Sequence, residues 1–316
     1  MGDISSELDM QKDMQDTENL NLINQEVDLN LQYIRELNVS KYANIHNKTN
    51  CINYNNIILQ LENLSISYKK CDYSVNDVSL DIIRGEFFAI VGESGSGKSS
   101  IVKAILGLIP KANGNIYYFT KNTLNINKSI VYTLTNMKKK LWHFVYKDIQ
   151  MIFQNVAASL DEALTIYQIL KEPLDIYYKD LSNELKRQKI INTLNMLDLS
   201  EQFLNRYPRS LSGGQLQRIC IARALLLEPK ILICDEAISA LDVTVKLQIV
   251  VLLKKLQYRL NLTIIFISHD LNIISKVCDR MLVMHRSQAV ELTNSFYIAK
   301  NCFFHPYTKQ LFNSII

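Results

Sequence analysis

The run Gly92-Glu93-Ser94-Gly95-Ser96-Gly97-Lys98-Ser99 has the spacing of a phosphate cradle, and a second glycine pair stands in Leu211-Ser212-Gly213-Gly214-Gln215. Together the two loops hold five of the nine glycines in 316 residues, where ordinary usage would supply about 22. Glycine is concentrated where backbone approaches something closely or turns as a side chain forbids. In the first loop the pattern G-x-x-x-x-G-K-[ST] points the amides of residues 93–99 at phosphate oxygens, with Ser100 in the same turn. Lys98 then reaches the β and γ phosphates of a nucleoside triphosphate, and the Ser99 hydroxyl ligates Mg²⁺.

Such a loop needs a strand before it and a helix after it. Glu86 to Val91 is short, apolar and β-prone, and Ser99 to Ile109 has helical spacing at Ile101, Val102, Ile105, Leu106 and Ile109. The helix N-terminus adds positive potential at the phosphates.

Composition bounds the class. A 36.5 kDa chain with 48% hydrophobic and 21% charged residues is an ordinary globular protein, long enough for one large domain and an appendage. A net charge of +4 and the single basic run Lys138 to Lys140, read as a solvated loop, give no nucleic-acid stripe. Six cysteines without a C-x-x-C pair fit reduced thiols in the cytosol. There is no signal peptide and no run of about 18 apolar residues. Between Met1 and Ser40 nine acidic residues face two basic ones, so residues 1–55 read as an acidic, partly disordered extension with one or two weak amphipathic helices. Met1-Gly-Asp-Ile-Ser-Ser6 fits the N-myristoylation pattern formally, without a polybasic second signal.

From Ile57 the pattern is regular. Ile57 to Tyr68 and Val78 to Ile83 alternate as antiparallel strands, joined to the loop strand by a turn at Arg84-Gly85-Glu86. Asn113-Gly114-Asn115 reads as another turn before a strand at Ile116 to Phe119. Residues 120–147 resist assignment. A strand follows at Lys147 to Phe153, then helical spacing from Leu160 to Leu204. Strands at Ile231 to Cys234, Thr263 to Ser268 and Met281 to Met284 alternate with helices at Gln215 to Leu227, Val245 to Leu260 and Leu271 to Val277. That alternation argues for a largely parallel sheet with a helical insertion.

The segment Leu211-Ser-Gly-Gly-Gln-Leu-Gln-Arg-Ile-Cys-Ile-Ala-Arg-Ala-Leu225 resembles the signature of the ATP-binding cassette (ABC) family. Other pieces come in that family's order. Ile231-Leu-Ile-Cys-Asp-Glu236 resembles the Walker B strand, and Ser239-Ala-Leu-Asp242 the D-loop. Gln154 resembles the Q-loop glutamine, His269 the switch histidine and Tyr68 the aromatic residue that stacks on adenine, with Tyr73 as an alternative ring. The resemblance implies an α/β fold: a P-loop NTPase (RecA-like) core with an antiparallel β subdomain and an inserted helical subdomain at about 155–211. The cassette would span 56–300 and a tail 301–316.

The resemblance also implies roles. Asp235 binds Mg²⁺, with Ser99 and Gln154 beside it, and Glu236 orients the attacking water as general base. His269 contacts the γ-phosphate. Leu211 to Gln215, above all Ser212, Gly213 and Gly214, grip ATP held by an opposing cassette. One chain is therefore half of a pair that drives separate membrane subunits.

Finer pieces narrow the transporter. Ala158-Ser-Leu160, Glu172-Pro-Leu174, Tyr207-Pro208, Leu241-Asp-Val-Thr-Val245 and His305-Pro-Tyr-Thr-Lys-Gln-Leu311 look like the ATPases of oligopeptide, dipeptide and nickel importers, with a lean toward the second of their two paired ATPases. The expected partners are a second cassette, two permease subunits and an extracellular substrate-binding protein, with this chain at the cytoplasmic face of the membrane. A cassette of a metabolic complex, such as phosphonate breakdown, is the other reading. Three departures stand out. The chain stops at Ile316, short of the cysteine-containing region that often follows this tail. Residues 1–55 and much of 120–147 match nothing familiar. After Met284, where the family pattern has Gly, the sequence reads His285-Arg286-Ser287-Gln288.

Overall fold

The strand Phe87–Gly92 is buried along its whole length, and its alternation explains the architecture. Phe87, Ala89 and Val91 join one hydrophobic core, while Phe88 and Ile90 join a second, because successive side chains leave opposite faces of a strand. A strand that is apolar on both faces needs cover on both. The computed structural model of this protein, which describes residues 56–69, 72–109, 112–121 and 129–314, supplies it from two layers.

On one side lies an antiparallel sheet. β1 (Ile57–Lys69) pairs with β2 (Asp72–Ile83), and the strand just described is β3. After α1 (Lys98–Ile105), β4 (Ala112–Lys121) returns to pair with β1, and β5 (Ser129–Thr133) adds to β4, giving the order β2-β1-β4-β5. Ile58, Leu64, Ile66, Val78 and Ile116 point from this sheet into the second core, against α1 and β3.

The remaining chain builds the central sheet and its other cover. α2 (Lys139–Asp148), β6 (Ile149–Ile152), α3 (Ile166–Tyr177), α4 (Asn183–Asn195), α5 (Gly213–Leu225) and β7 (Ile231–Asp235) follow in order. Next come α6 (Val243–Leu260), β8 (Thr263–Ile267), α7 (Leu271–Val277), β9 (Arg280–His285), β10 (Gln288–Asn294), α8 (Ser295–Ala299) and α9 (Pro306–Asn313). The sheet runs β10-β9-β3-β8-β7-β6, parallel throughout except for β10, which makes a hairpin with β9. α3 and α4 bury Ile169, Leu170, Leu174, Ile190 and Leu194 in the first core. α3 starts at a capping box in which the Thr165 hydroxyl accepts the Gln168 amide.

Several expectations change. Asn113-Gly114-Asn115 is not a turn but part of β4. Between Glu62–Asn115 and Ser65–Asn113 the β1–β4 register shifts, and Gly114 sits in that irregularity at φ 87. A Cβ there would stand 2.4 Å from the Asn63 carbonyl oxygen, so the glycine serves a close approach of two backbones. α1 ends at Ile105 rather than Ile109, because Gly107 at φ 65 closes it. The Leu108 amide bonds the Lys103 carbonyl and the Gly107 amide that of Ala104. Lys138 to Lys140 is exposed but opens α2 instead of lying in a loop. The residues left unassigned at 120–147 include β5 and most of α2. The acidic extension 1–55 and its myristoylation pattern lie outside the described residues.

Candidate active site

Parallel strands bring their C-terminal ends to one edge, and four of the expected residues meet there. Ile152 of β6 lies opposite Cys234 of β7, so two residues further Gln154 lies opposite Glu236. The Gln154 amide donates to the Glu236 carboxylate at 2.8 Å. Asp235, the last residue of β7, lies opposite Ile267 of β8, and its carboxylate accepts from the Ser99 hydroxyl at 2.9 Å. Glu236 turns out of the strand with φ 47, a left-handed conformation in which its amide bonds the Ile267 carbonyl. Left-handed backbone in a non-glycine residue is uncommon and clusters at functional sites.

The first glycine loop crosses the end of β3. A Cβ on Gly92 would stand 2.1 Å from the Met284 carbonyl oxygen, and one on Gly97 would stand 2.1 Å from that of Ser74. These glycines admit the protein's own backbone. Among the described residues, no protein acceptor meets the amides of Ser94, Gly95, Gly97, Lys98 or Ser99. The buried Ser96 hydroxyl has no partner either. A helix N-terminus fringed by such donors is the chemistry that anionic phosphate requires. The expected cradle of amides 93–99 needs two corrections. The Ser96 amide bonds the Glu93 carbonyl, and the Glu93 amide bonds the Tyr307 hydroxyl at 3.3 Å.

Lys98 does not point outward. Its ammonium bonds the carbonyls of Gly92 at 3.0 Å and Glu93 at 2.7 Å, folded back under the loop. Burial pulls its pKa below the usual lysine value, opposed by the carboxylates of Glu236, Asp235 and Glu93. Burial likewise pushes Asp235 up, the Ser99 hydrogen bond pulls it back, and Glu236 pushes it further up. A cation between these groups would relieve that repulsion. The Ser99 hydroxyl and the Asp235 carboxylate, 2.9 Å apart, are hard oxygen donors of the kind that would hold Mg²⁺.

Tyr68, 61% exposed, puts its hydroxyl 3.4 Å from that of Ser100, so its free ring face lies beside the start of α1. Tyr73 is also exposed, and among the described residues no hydrogen bond ties it to the loop. His269 is exposed just past β8, and its side chain makes no hydrogen bond to Glu236.

The second glycine loop is a helix entrance. Ser212 caps α5 by accepting the Gln215 amide, and the Gln215 side chain accepts the Ser212 amide in return. Leu211 is buried behind it. Neither Gly213 nor Gly214 has a positive φ. A Cβ on Gly213 would meet Leu241 of the D-loop at 3.2 Å and one on Gly214 would meet Val245 of α6 at 2.7 Å, so both positions favour a small residue. Asp242 caps α6, accepting the Val245 amide at 2.9 Å.

Tyr307 is the residue that motif reading left without a task. It belongs to the tail motif His305 to Leu311, whose specificity was visible, whereas its contact with a loop more than two hundred residues away was not.

A phosphate loop between β3 and α1, facing paired carboxylates at the end of β7, defines a P-loop nucleoside triphosphatase. The family profile described as ABC transporter matches residues 75–239, and this chain belongs to that family as an ATP-binding, ATP-hydrolysing cassette. It is 40% identical over 275 residues to the oligopeptide transport ATP-binding protein OppF of Haemophilus influenzae, spanning 83% of this chain and 79% of the relative. It is 43% identical over 242 residues to OppF of Salmonella typhimurium, spanning 77% and 69%. Among solved structures it resembles cbiO1 from Clostridium perfringens, part of the ABC transporter complex cbiONQ, with TM-score 0.67, 28% identity, and 78% and 91% coverage of the two chains. It also resembles the dimeric post-hydrolysis state of the cassette MJ0796 bound to ADP and Pi, with TM-score 0.64, 30% identity, and 75% and 99% coverage.

Proposed function

We propose that this chain is the ATP-hydrolysing subunit of an importer of oligopeptides or dipeptides. It works at the cytoplasmic face of the membrane with a second cassette, two permease subunits and an extracellular substrate-binding protein. The observation that carries the reading is the relation to OppF. A family profile alone covers residues 75–239, whereas the OppF of Haemophilus influenzae aligns over 275 residues. No helix among the described residues is long and apolar enough to cross a membrane, and passage of the peptide is assigned to the permeases. A groove of about 600 Å³ between β6, α3 and α5, lined by Phe153, Asn155, Ile176, Tyr177 and Arg223, opens directly after Gln154. A permease segment seated there would press on the residue that holds Glu236.

Within the site, amides 94–95 and 97–99 take the phosphates, Tyr68 stacks on adenine, and Lys98 swings from Glu93 to the β and γ oxygens. Ser99 and Asp235 would hold Mg²⁺, with Gln154 expected beside them. When bound, the ion neutralises charge on the β and γ phosphates. Glu236, kept in place by Gln154 and by its left-handed backbone, accepts a proton from the attacking water, and His269 meets the γ-phosphate. Ser212, Gly213 and Gly214 serve the ATP of the opposing cassette.

The test is purification of the tagged chain from membranes of its own host, followed by reconstitution. The reading expects one further cassette and two permeases to copurify. It also expects phosphate release to rise with peptide-loaded binding protein and to fall at least about a hundredfold in Glu236→Gln, while ATP binding persists. Recovery of soluble metabolic enzymes instead, or undiminished turnover by E236Q, would overturn it.

A further inference from the structure

The C-terminal tail reaches the nucleotide loop through one side chain. The Glu93 amide donates to the Tyr307 hydroxyl at 3.3 Å, and the Glu93 carbonyl accepts from Lys98 at 2.7 Å and from the Ser96 amide at 3.2 Å. The Glu93 residue is therefore held on one side by the tail and on the other by the lysine that must leave it to reach phosphate. Tyr307 itself is fixed. Its ring stacks on His285 with centroids 3.8 Å apart, and His285 ends β9 next to Met284, whose carbonyl abuts Gly92. Its amide bonds His305 Nδ1 at 3.2 Å, and the Glu291 carboxylate accepts the amides of Phe304 and His305 at 2.9 and 3.0 Å. Phe303 stacks on Phe312, centroids 4.3 Å apart, with both rings buried. A helix anchored at β10 and at its far end offers the hydroxyl from a rigid base. Burial, the largest effect, raises the phenol pKa, so it stays neutral and hydrogen-bonding at working pH.

We propose that Tyr307 is a positioning residue for the phosphate loop, holding the Glu93 amide so that the loop keeps its donor array when Lys98 moves to the nucleotide. The tail helix is on this account part of the ATP site rather than an appendage. The inference rests on the reading of residues 92–99 as that site. The hydroxyl is one hydrogen bond to a partly exposed group, so its removal weakens nucleotide binding about three- to tenfold.

The experiment uses the full chain and a fluorescent ATP analogue with Mg²⁺. Tyr307→Phe keeps the ring on His285 and loses only the hydroxyl, Tyr307→Ala loses both, and Lys98→Ala reports on the site itself. The proposal expects Y307F to bind the analogue about three- to tenfold more weakly with its nucleotide-free melting temperature unchanged, and Y307A to bind no better than Y307F. In the assembled transporter the KM for ATP rises in Y307F while kcat holds. Binding by Y307F indistinguishable from wild type would overturn the proposal, as would a melting temperature that falls in parallel with affinity, since that marks a purely structural contact. Undiminished binding by K98A would instead remove the site assignment, and the proposal with it.

Discussion

Glu86 shows how a single buried group sets a pH dependence unrelated to catalysis. It caps the turn into β3, accepting the Ile83 amide at 2.7 Å and facing Arg280 at 3.3 Å, yet burial pushes its carboxyl from 4.5 up to about 7. The folded chain keeps this proton to higher pH than the unfolded chain does. Glu86 therefore lowers stability as pH rises through the window from about 4.5 to about 7. Glu86→Gln removes that contribution. Relative to wild type, E86Q should gain up to about 3 kcal/mol between pH 4 and pH 8, read from urea midpoints. Parallel pH profiles for the two proteins would show that Arg280 keeps Glu86 ionised. At this scale the sequence exposed the identities of Lys98, Ser99, Gln154, Asp235 and Glu236 through their motifs. It could not expose the Gln154–Glu236 pair, which follows from the register of β6 against β7, or the folded-back Lys98, which follows from burial.

Among the elements, the β9–β10 hairpin shows what the departure after Met284 costs. His285 and Gln288 are paired, leaving Arg286 and Ser287 as a two-residue loop with φ 46 and 67. A loop with both central residues left-handed favours Asn-Gly, because L side chains crowd the backbone there. The loop is held despite that cost, since the Ser287 carbonyl accepts the Asn76 amide at 2.7 Å. The double change Arg286→Asn, Ser287→Gly should raise stability by about 1 kcal/mol, measured as a higher melting temperature with unchanged nucleotide binding. A drop in melting temperature would mean that the side chains contribute contacts outweighing the backbone. The same element scale shows where reading by pattern succeeds and where it fails. β3, β7 and β8 were plain because strands buried on both faces are continuous apolar runs. α2 was not, because its only buried residue is Val145 and its exposed positions include Lys, Leu and Phe alike. Asn113-Gly114 misled because an Asn-Gly pair signals a hairpin turn, whereas this glycine answers to the Asn63 carbonyl of a neighbouring strand.

The whole molecule joins two layers to one central sheet, and the joining decides what each loop can reach. The phosphate loop rests on β9 and β2, through Met284 and Ser74. The signature loop caps α5 and packs on Leu241 and Val245 of the same chain. Among the described residues, no hydrogen bond joins it to the phosphate loop. On the proposed function, such a chain uses the loop at 92–99 for its own nucleotide and offers the Ser212 helix entrance to that of an opposing cassette. The expectation of a pair comes from the family order of motifs in the sequence. The tail's reach to Glu93 was not legible there, because no local pattern records a contact across 214 positions.

Whether the signature loop serves the partner's ATP is decided by Ser212→Asp in the assembled transporter. Asp caps a helix as well as Ser, so α5 and the fold should persist, while a carboxylate now faces the partner's γ-phosphate. The measurement is phosphate release, with ATP bound by this chain quantified in the same sample by photolabelling. The account predicts normal labelling of this chain and a fall in release of about a hundredfold, the scale of losing one transition-state donor. Loss of labelling on this chain with release preserved would contradict it.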